Sequence, residues 1–189
     1  MSEGFHVHGP HDHQVEHQAH SGDHFAGRVA VMTAILATVG ALISYQGGAT
    51  QNAALLFKNE AAIKKTEASD QWNFYQAKSN KQNLAELGAT LTTGKVADDY
   101  RTEVERYKKE KEKIMADAKA LEQASREADG RSEESMHLHH RWAQSMALIQ
   151  IAIALAAITL LTRQKWLQWM AYGAGIGSLI VAALAFAHL

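Results

Sequence analysis

The sequence predicts an all-α protein with three transmembrane helices and a long antiparallel coiled-coil helical hairpin that forms a stalk. Three long stretches, residues 29–57, 142–162 and 166–187, contain no Asp, Glu, Lys, Arg or His. A membrane span needs about 20 apolar residues, and its backbone must be helical. The charged segment between the first two stretches has arms of equal length on either side of Gly94. A chain that leaves a membrane on one helix and returns on another needs such arms.

Composition excludes several classes of protein. The chain has 189 residues, no cysteine and a net charge of -1. Without cysteine there is neither a disulfide framework nor a thiolate metal site, and the near-zero charge argues against nucleic acid as a partner. The sequence contains no nucleophile elbow, no zinc-protease motif and no dinucleotide signature, so we do not expect an enzyme.

The first elements in chain order are a tail and a span. Residues 1–25 are rich in His, Gly and Asp and predict a flexible tail. Residues 26–46 form the first predicted transmembrane helix. Gly47 and Gly48 follow it directly, and because adjacent glycines weaken a helix we expect a bend there.

Residues 47–141 form the predicted stalk, with its turn near residues 92–95. The returning arm has mostly apolar residues at alternating spacings of four and three over four heptads, with Lys111 and Ser125 as polar members, and this pattern is typical of a coiled coil. These positions are Tyr100, Val104, Tyr107, Lys111, Ile114, Ala118, Leu121, Ser125 and Ala128. If the hairpin folds about Gly94, they face a set on the outgoing arm that includes Gly88, Leu84, Phe74 and Ile63. Leu84 is then expected to meet Val104, Phe74 to meet Ile114, and Gly88 to leave room for Tyr100.

The last two spans are predicted at residues 142–162 and 166–187. The third follows Arg163 and Lys165 and begins with Trp166 and Trp169. Basic residues beside interfacial aromatics are typical of a cytoplasmic membrane surface. We therefore expect a multi-pass protein of the bacterial inner membrane, with its N-terminus in the cytoplasm and its stalk in the periplasm.

The tail contains a candidate metal site. His13, His17, His20 and His24 follow a 4-3-4 spacing that would place them on one face of a helix. Neutral imidazoles at such spacing can bind zinc, nickel or copper. The alternative is a polar tail that gains charge below about pH 6.5 and binds no cofactor.

A second histidine cluster precedes the second span. Glu134 and His137 form one Glu-x-x-His pair, close to His139 and His140. A carboxylate di-iron site requires a second such pair, which the sequence lacks. An interfacial, partly protonated histidine group is the favoured interpretation.

Two features predict self-association. On the outgoing arm, Trp72 and Tyr75 are expected to face away from the inner face that Phe74 occupies, so they are candidate contacts with another subunit. They could instead pack on the flank of the neighbouring arm. In the third span, Gly173 and Gly177 are spaced so that helices can approach closely.

The most specific string is Ala68-Ser69-Asp70-Gln71-Trp72-Asn73-Phe74-Tyr75-Gln76-Ala77-Lys78-Ser79. Together with the first span and His139-His140-Arg141 at the entry to the second, it resembles a bacterial membrane-protein family known only as domain of unknown function 4337. The resemblance covers residues 26–187. It implies a multi-span bacterial membrane protein and no particular activity.

These observations favour a structural or interaction protein that is embedded in the lipid bilayer and self-associates as a homo-oligomer through its stalk. They do not identify any other protein partner. The first alternative is an oligomeric channel, with Gln150, Thr159 or Thr38 facing a polar pore. The second is a metal-binding membrane protein that uses the histidine tail.

Overall fold

A computed structural model describes residues 24–187 as three α-helices joined by two short turns. Helix α1 is His24–Leu91, α2 is Lys95–Thr162 and α3 is Lys165–Phe186. No strand occurs within these residues, so the described chain is all-α, as the sequence predicts. Each helix contains a segment long and apolar enough to cross a membrane.

The two turns differ in how they are made. Helix α1 ends where the amide and hydroxyl of Thr92 both donate to the carbonyl of Gly88, and Gly94 then adopts a left-handed φ of 63°. Glycine tolerates that conformation because it has no Cβ. The second turn places Arg163 at a left-handed φ of 57° without that freedom. The extended backbone of Gln164 then starts α3.

The pair Gly47 and Gly48 does not interrupt α1, which continues through both residues as one helix. Gly47 is buried, and a Cβ added there would lie 3.5 Å from the Cβ of Trp142. The missing side chain therefore allows a close approach between helices.

The chain divides into two compact units, which are described separately. The three-helix unit contains the described residues of 1–51 and 136–189, and the two-helix unit contains residues 52–135.

The three-helix unit has two small apolar clusters. Val29, Met32, Ala156 and Ala171 form one, and Ile43, Trp142, Ile149 and Ala185 form the other. Glycines bring the helices together: a Cβ on Gly40 would lie 3.4 Å from the Ile149 side chain, and one on Gly175 would lie 3.0 Å from Leu36. Other large apolar residues of this unit, among them Val31, Leu42 and Ile151, are more than half exposed.

The two-helix unit is an antiparallel pair formed by the C-terminal part of α1 and the N-terminal part of α2. Its contacts pair rising residue numbers on α1 with falling numbers on α2. Ser132 Oγ donates to the carbonyl of Ala54, Ser125 Oγ donates to the carbonyl of Ala61, and Gly88 lies against the ring of Tyr100. The predicted neighbours Gly88 and Tyr100 are thus in contact.

On α2, burial follows the predicted heptad. Val104, Ile114, Ala118 and Ala128 are buried, and the members between them are partly buried except Tyr100, which is 38% exposed. The positions predicted to face α1 are thus the positions that do so.

On α1, the prediction of the inner face is wrong. Phe74 is 50% exposed and Leu84 is 68% exposed, so they do not fill the interface opposite Ile114 and Val104. Ile63 is likewise 57% exposed. The buried positions on the α1 arm of the two-helix unit are instead small: Ala54, Ala61, Ala68 and Ala85. Equal arm lengths predict which residues lie level with each other, but they do not predict which side of the helix faces inward.

Candidate functional site

The candidate site is a groove along the flank of the two-helix unit, with a volume of about 780 Å³. The buried residues Ala61 and Ala68 form its floor, and Ser125 and the exposed Ala62 also line it. The Ser125 hydroxyl donates to the carbonyl of Ala61 at 2.8 Å, which draws the two backbones together. Small side chains at a close crossing fill little of the space beside it, so a shallow trough remains.

Trp72 forms one wall of the groove, and its orientation corrects the sequence prediction. Its indole Nε1 donates to Glu122 on α2 at 2.8 Å, so Trp72 turns toward the neighbouring helix. Tyr75 meets Trp72 edge to face with 5.6 Å between ring centres, and Lys111 of α2 lies over the Tyr75 ring at 5.0 Å. Both aromatics are partly buried between the helices, as in the alternative that they pack on the neighbouring arm's flank.

Charged residues rim the groove. Lys58 forms an ion pair with Asp129, and this hydrogen bond raises the pKa of Lys58 above its ordinary value. Arg126 lies 3.9 Å from Glu122. Within residues 24–187, Lys65 makes no ion pair. The rim therefore presents a cation that is free to meet an acidic partner.

A second polar contact lies nearer the turn of the two-helix unit. Lys78 pairs with Glu110 on α2 and lies 5.5 Å from the ring centre of Tyr107. The hydrogen bond from Lys78 lowers the pKa of the Glu110 carboxyl. Because only 19% of the Lys78 side chain is exposed, its ammonium group is held in the ion pair that joins the two helices.

The string that contains Trp72, Tyr75 and Lys78 thus supplies one wall of the groove and a bridge between the helices. The model of a protein family matches residues 25–188, and the description of that family is domain of unknown function (DUF4337). The chain belongs to the DUF4337 family. No curated protein and no solved structure matches it.

The matched region of this DUF4337 member includes a buried polar contact in the three-helix unit. Ser145 on α2 and Ser178 on α3 each donate a hydroxyl hydrogen bond to the other's carbonyl, at 2.9 and 2.8 Å. Both residues are fully buried. This reciprocal pair holds α3 against α2 without leaving a polar group unsatisfied.

Gly173 and Gly177 make no close helix contact within residues 24–187 of the chain, and their role between subunits stays a prediction. A Cβ on Gly173 would meet nothing within 4 Å, and one on Gly177 would only touch Leu148 at 4.0 Å. Gly175 between them is the buried, closely packed residue. Sequence spacing of small residues fits several glycines on α3, and only the observed rotation of the helix selects one.

Of the four histidines of the predicted metal site, the structure describes only His24. His13, His17 and His20 lie outside the described residues, and His24 is exposed at the start of α1. All four lie outside the residues that the DUF4337 model matches. Within residues 24–187 no group of three or more His, Cys, Asp or Glu side chains is placed to hold a metal ion.

His139 has a structural contact that sequence reasoning missed. Its Nδ1 donates to the carbonyl of Gly47 at 2.9 Å. The hydroxyl of Thr50 donates to the same oxygen at 3.0 Å. The bond from His139 holds its ring at the close approach that the absent Gly47 side chain allows.

Proposed function

We propose that this DUF4337 member is a structural protein of the bacterial inner membrane, anchored by three spans and self-associating through a coiled-coil stalk. One observation carries the membrane assignment. Within the apolar windows of α1, α2 and α3, only 28%, 28% and 22% of the residues are buried. Such a surface requires lipid or another protein to cover it.

The exposed residues of those windows support the same proposal. Leu42, Leu161 and Ile176 are 64%, 84% and 59% exposed. In water these side chains would each forfeit roughly 1.5–3 kcal/mol of burial free energy. In lipid they lose nothing.

The small core of the two-helix unit is the argument for a stalk that self-associates. Its interior holds only two large buried apolar residues, Val104 and Ile114, beside a row of alanines. A pair of helices with so little core gains stability from further packing. We propose no catalytic role, because the charged residues of the groove wall are largely engaged with one another.

A channel is the second candidate, and Gln150 favours it. This amide lies within the uncharged stretch 142–162 and is exposed. A polar side chain on an apolar helix surface is stabilised by pore water or by a neighbouring subunit. By contrast, the hydroxyls of Thr38 and Thr159 donate to carbonyls of their own helices.

Thiol labelling and oligomer mass test the proposal, and a conductance measurement, described next, tests the channel. The chain has no native cysteine, so Thr93→Cys gives a single label site at the turn. We expect it to react with a membrane-impermeant thiol reagent in intact cells; reaction only after lysis would contradict the periplasmic orientation. We expect the detergent-solubilised wild type to have the mass of an oligomer, and a monomer would refute self-association.

Conductance of the purified protein in planar bilayers separates the two candidates. A structural protein gives none. Conductance that Gln150→Leu abolishes and Gln144→Leu preserves would favour the channel, because both glutamines are exposed on α2.

A further inference from the structure

We propose that the groove of the two-helix unit receives the outer face of helix α1 from a second copy, so that subunits associate head to tail. This inference rests on the proposed self-association in a common membrane. It assigns the partner of the groove, the surface that fills it and the symmetry of the contact.

The occupant is an apolar ridge on α1 formed by Leu56, Ile63 and Phe74. These side chains are 68%, 57% and 50% exposed. At about 100° of rotation per residue they lie within roughly 40° of one another. Ile63 is about 160° from the buried Ala61, so the ridge is on the opposite side of α1 from the inner face.

The ridge and the groove lie level along the helix. The ridge occupies residues 56–74 of α1, and the α1 side of the groove occupies residues 58–76. Copies anchored in one membrane through the same spans stand parallel, with equal residue numbers at equal height. The ridge of one copy therefore reaches the groove of the next without an axial shift.

The ridge and the groove rim also carry opposite charges. Asp70 lies on the ridge face, about 20° from Ile63 and about 40° from Phe74, and it makes no ion pair within residues 24–187. Lys65 on the groove rim is likewise unpaired in that part of the chain. The alanine floor gives branched side chains room to enter, and Trp72 supplies the aromatic wall that interfaces favour.

A symmetric ridge-to-ridge contact is the competing arrangement, and charge disfavours it. In parallel copies it would place Asp70 against Asp70 and Glu67 against Glu67. Like charges facing each other across parallel helices are destabilising. The head-to-tail contact avoids both pairs.

Disulfide trapping tests the contact. Two differently tagged chains are co-expressed, one with Ala62→Cys in the groove and one with Ile63→Cys on the ridge, and membranes are then oxidised. Cysteines link only when their Cα atoms approach to about 7 Å or less. We expect a linked product that carries both tags, and no linked product when Ala120→Cys on the exposed side of α2 replaces Ala62→Cys.

Self-linking of Ile63→Cys alone would overturn the proposal in favour of the ridge-to-ridge contact. An oligomer of normal mass in which the mixed pair does not link would also overturn it and would move the interface elsewhere. A wild-type monomer would instead refute the proposed self-association itself, so the two failures are distinguishable.

A second variant fills the groove. Ala62 is exposed and outside the buried inner face, so Ala62→Trp leaves the contacts between the arms in place. We expect loss of the oligomer mass with unchanged helical circular dichroism. Ala120→Trp adds the same bulk elsewhere and should retain the oligomer. An oligomer that tolerates Ala62→Trp would contradict the proposal.

Discussion

Gly88→Ala should be close to neutral for stability when the Tyr100 ring is present and stabilising when the ring is absent. A Cβ at Gly88 would lie 2.9 Å from both Cε2 and Cζ of Tyr100 and 3.0 Å from its Cδ2. Real Cβ atoms do not approach carbon that closely, so the ring must tilt away. At Gly130, on α2 of the same unit, an added Cβ would meet nothing within 4 Å.

The expected magnitude follows from two opposing effects. Alanine is favoured over glycine inside a helix by about 1 kcal/mol. Overpacking a well-packed core costs about 1–3 kcal/mol, and this site lies at the low end because the Tyr100 ring is exposed and can tilt away. Gly130→Ala should therefore raise the free energy of unfolding by up to about 1 kcal/mol, while Gly88→Ala should leave it close to unchanged.

A double-mutant cycle isolates the clash. In a Tyr100→Ala background the ring is gone, so Gly88→Ala should become stabilising. Because the helix-propensity gain is the same in both backgrounds, the coupling free energy measures the overpacking alone, about 1 kcal/mol. Thermal unfolding followed by far-ultraviolet circular dichroism, with local deuterium uptake near the turn, provides the measurement. Equal effects of Gly88→Ala with and without Tyr100 would refute the contact.

Three further substitutions test other contacts. Trp72→Phe keeps an aromatic ring but removes the hydrogen bond to α2, and should cost the two-helix unit about 1 kcal/mol in chemical unfolding. Lys78 lowers the pKa of the Glu110 carboxyl. The stability that the ionised carboxylate contributes is therefore complete above the ordinary carboxyl pKa and is lost as pH falls through the lowered value. Glu110→Gln should flatten the acid side of a stability–pH profile below about pH 4. Ser145→Ala and Ser178→Ala should each cost about 0.6 kcal/mol, and at most about 1.7 kcal/mol, in a steric-trap or detergent-unfolding measurement.

The sequence predicted the three helices because their signals are large and local. Three long uncharged stretches and a glycine turn at Gly94 require no knowledge of packing. The inner face of α2 was also predictable, since Val104 and Ile114 stand out in a heptad among charged neighbours.

The inner face of α1 was not predictable by the same rule. Its buried residues are alanines, which hydrophobic periodicity hardly separates from the background, whereas Phe74 and Leu84 give the strong apolar signal and lie outside. A search for small residues at seven-residue spacing would have found Ala54, Ala61 and Ala68. The groove itself depends on the side-chain volumes of two helices together, so no pattern within one helix reports it.

Small residues on the inner face of α1 and large apolar residues on its outer face have an energetic consequence. An alanine inner face lets the two backbones approach closely, but it buries little apolar area, so the contact between the arms contributes little hydrophobic free energy of its own. The larger apolar side chains of α1 are on its outer side, where a single copy leaves Ile63, Phe74 and Leu84 half or more exposed. Burying each of them would contribute roughly 1.5–3 kcal/mol. If the subunits associate as proposed, the greater part of the hydrophobic stabilisation available to the α1 arm of the two-helix unit comes from association, which would couple the stability of that unit to assembly of the subunits.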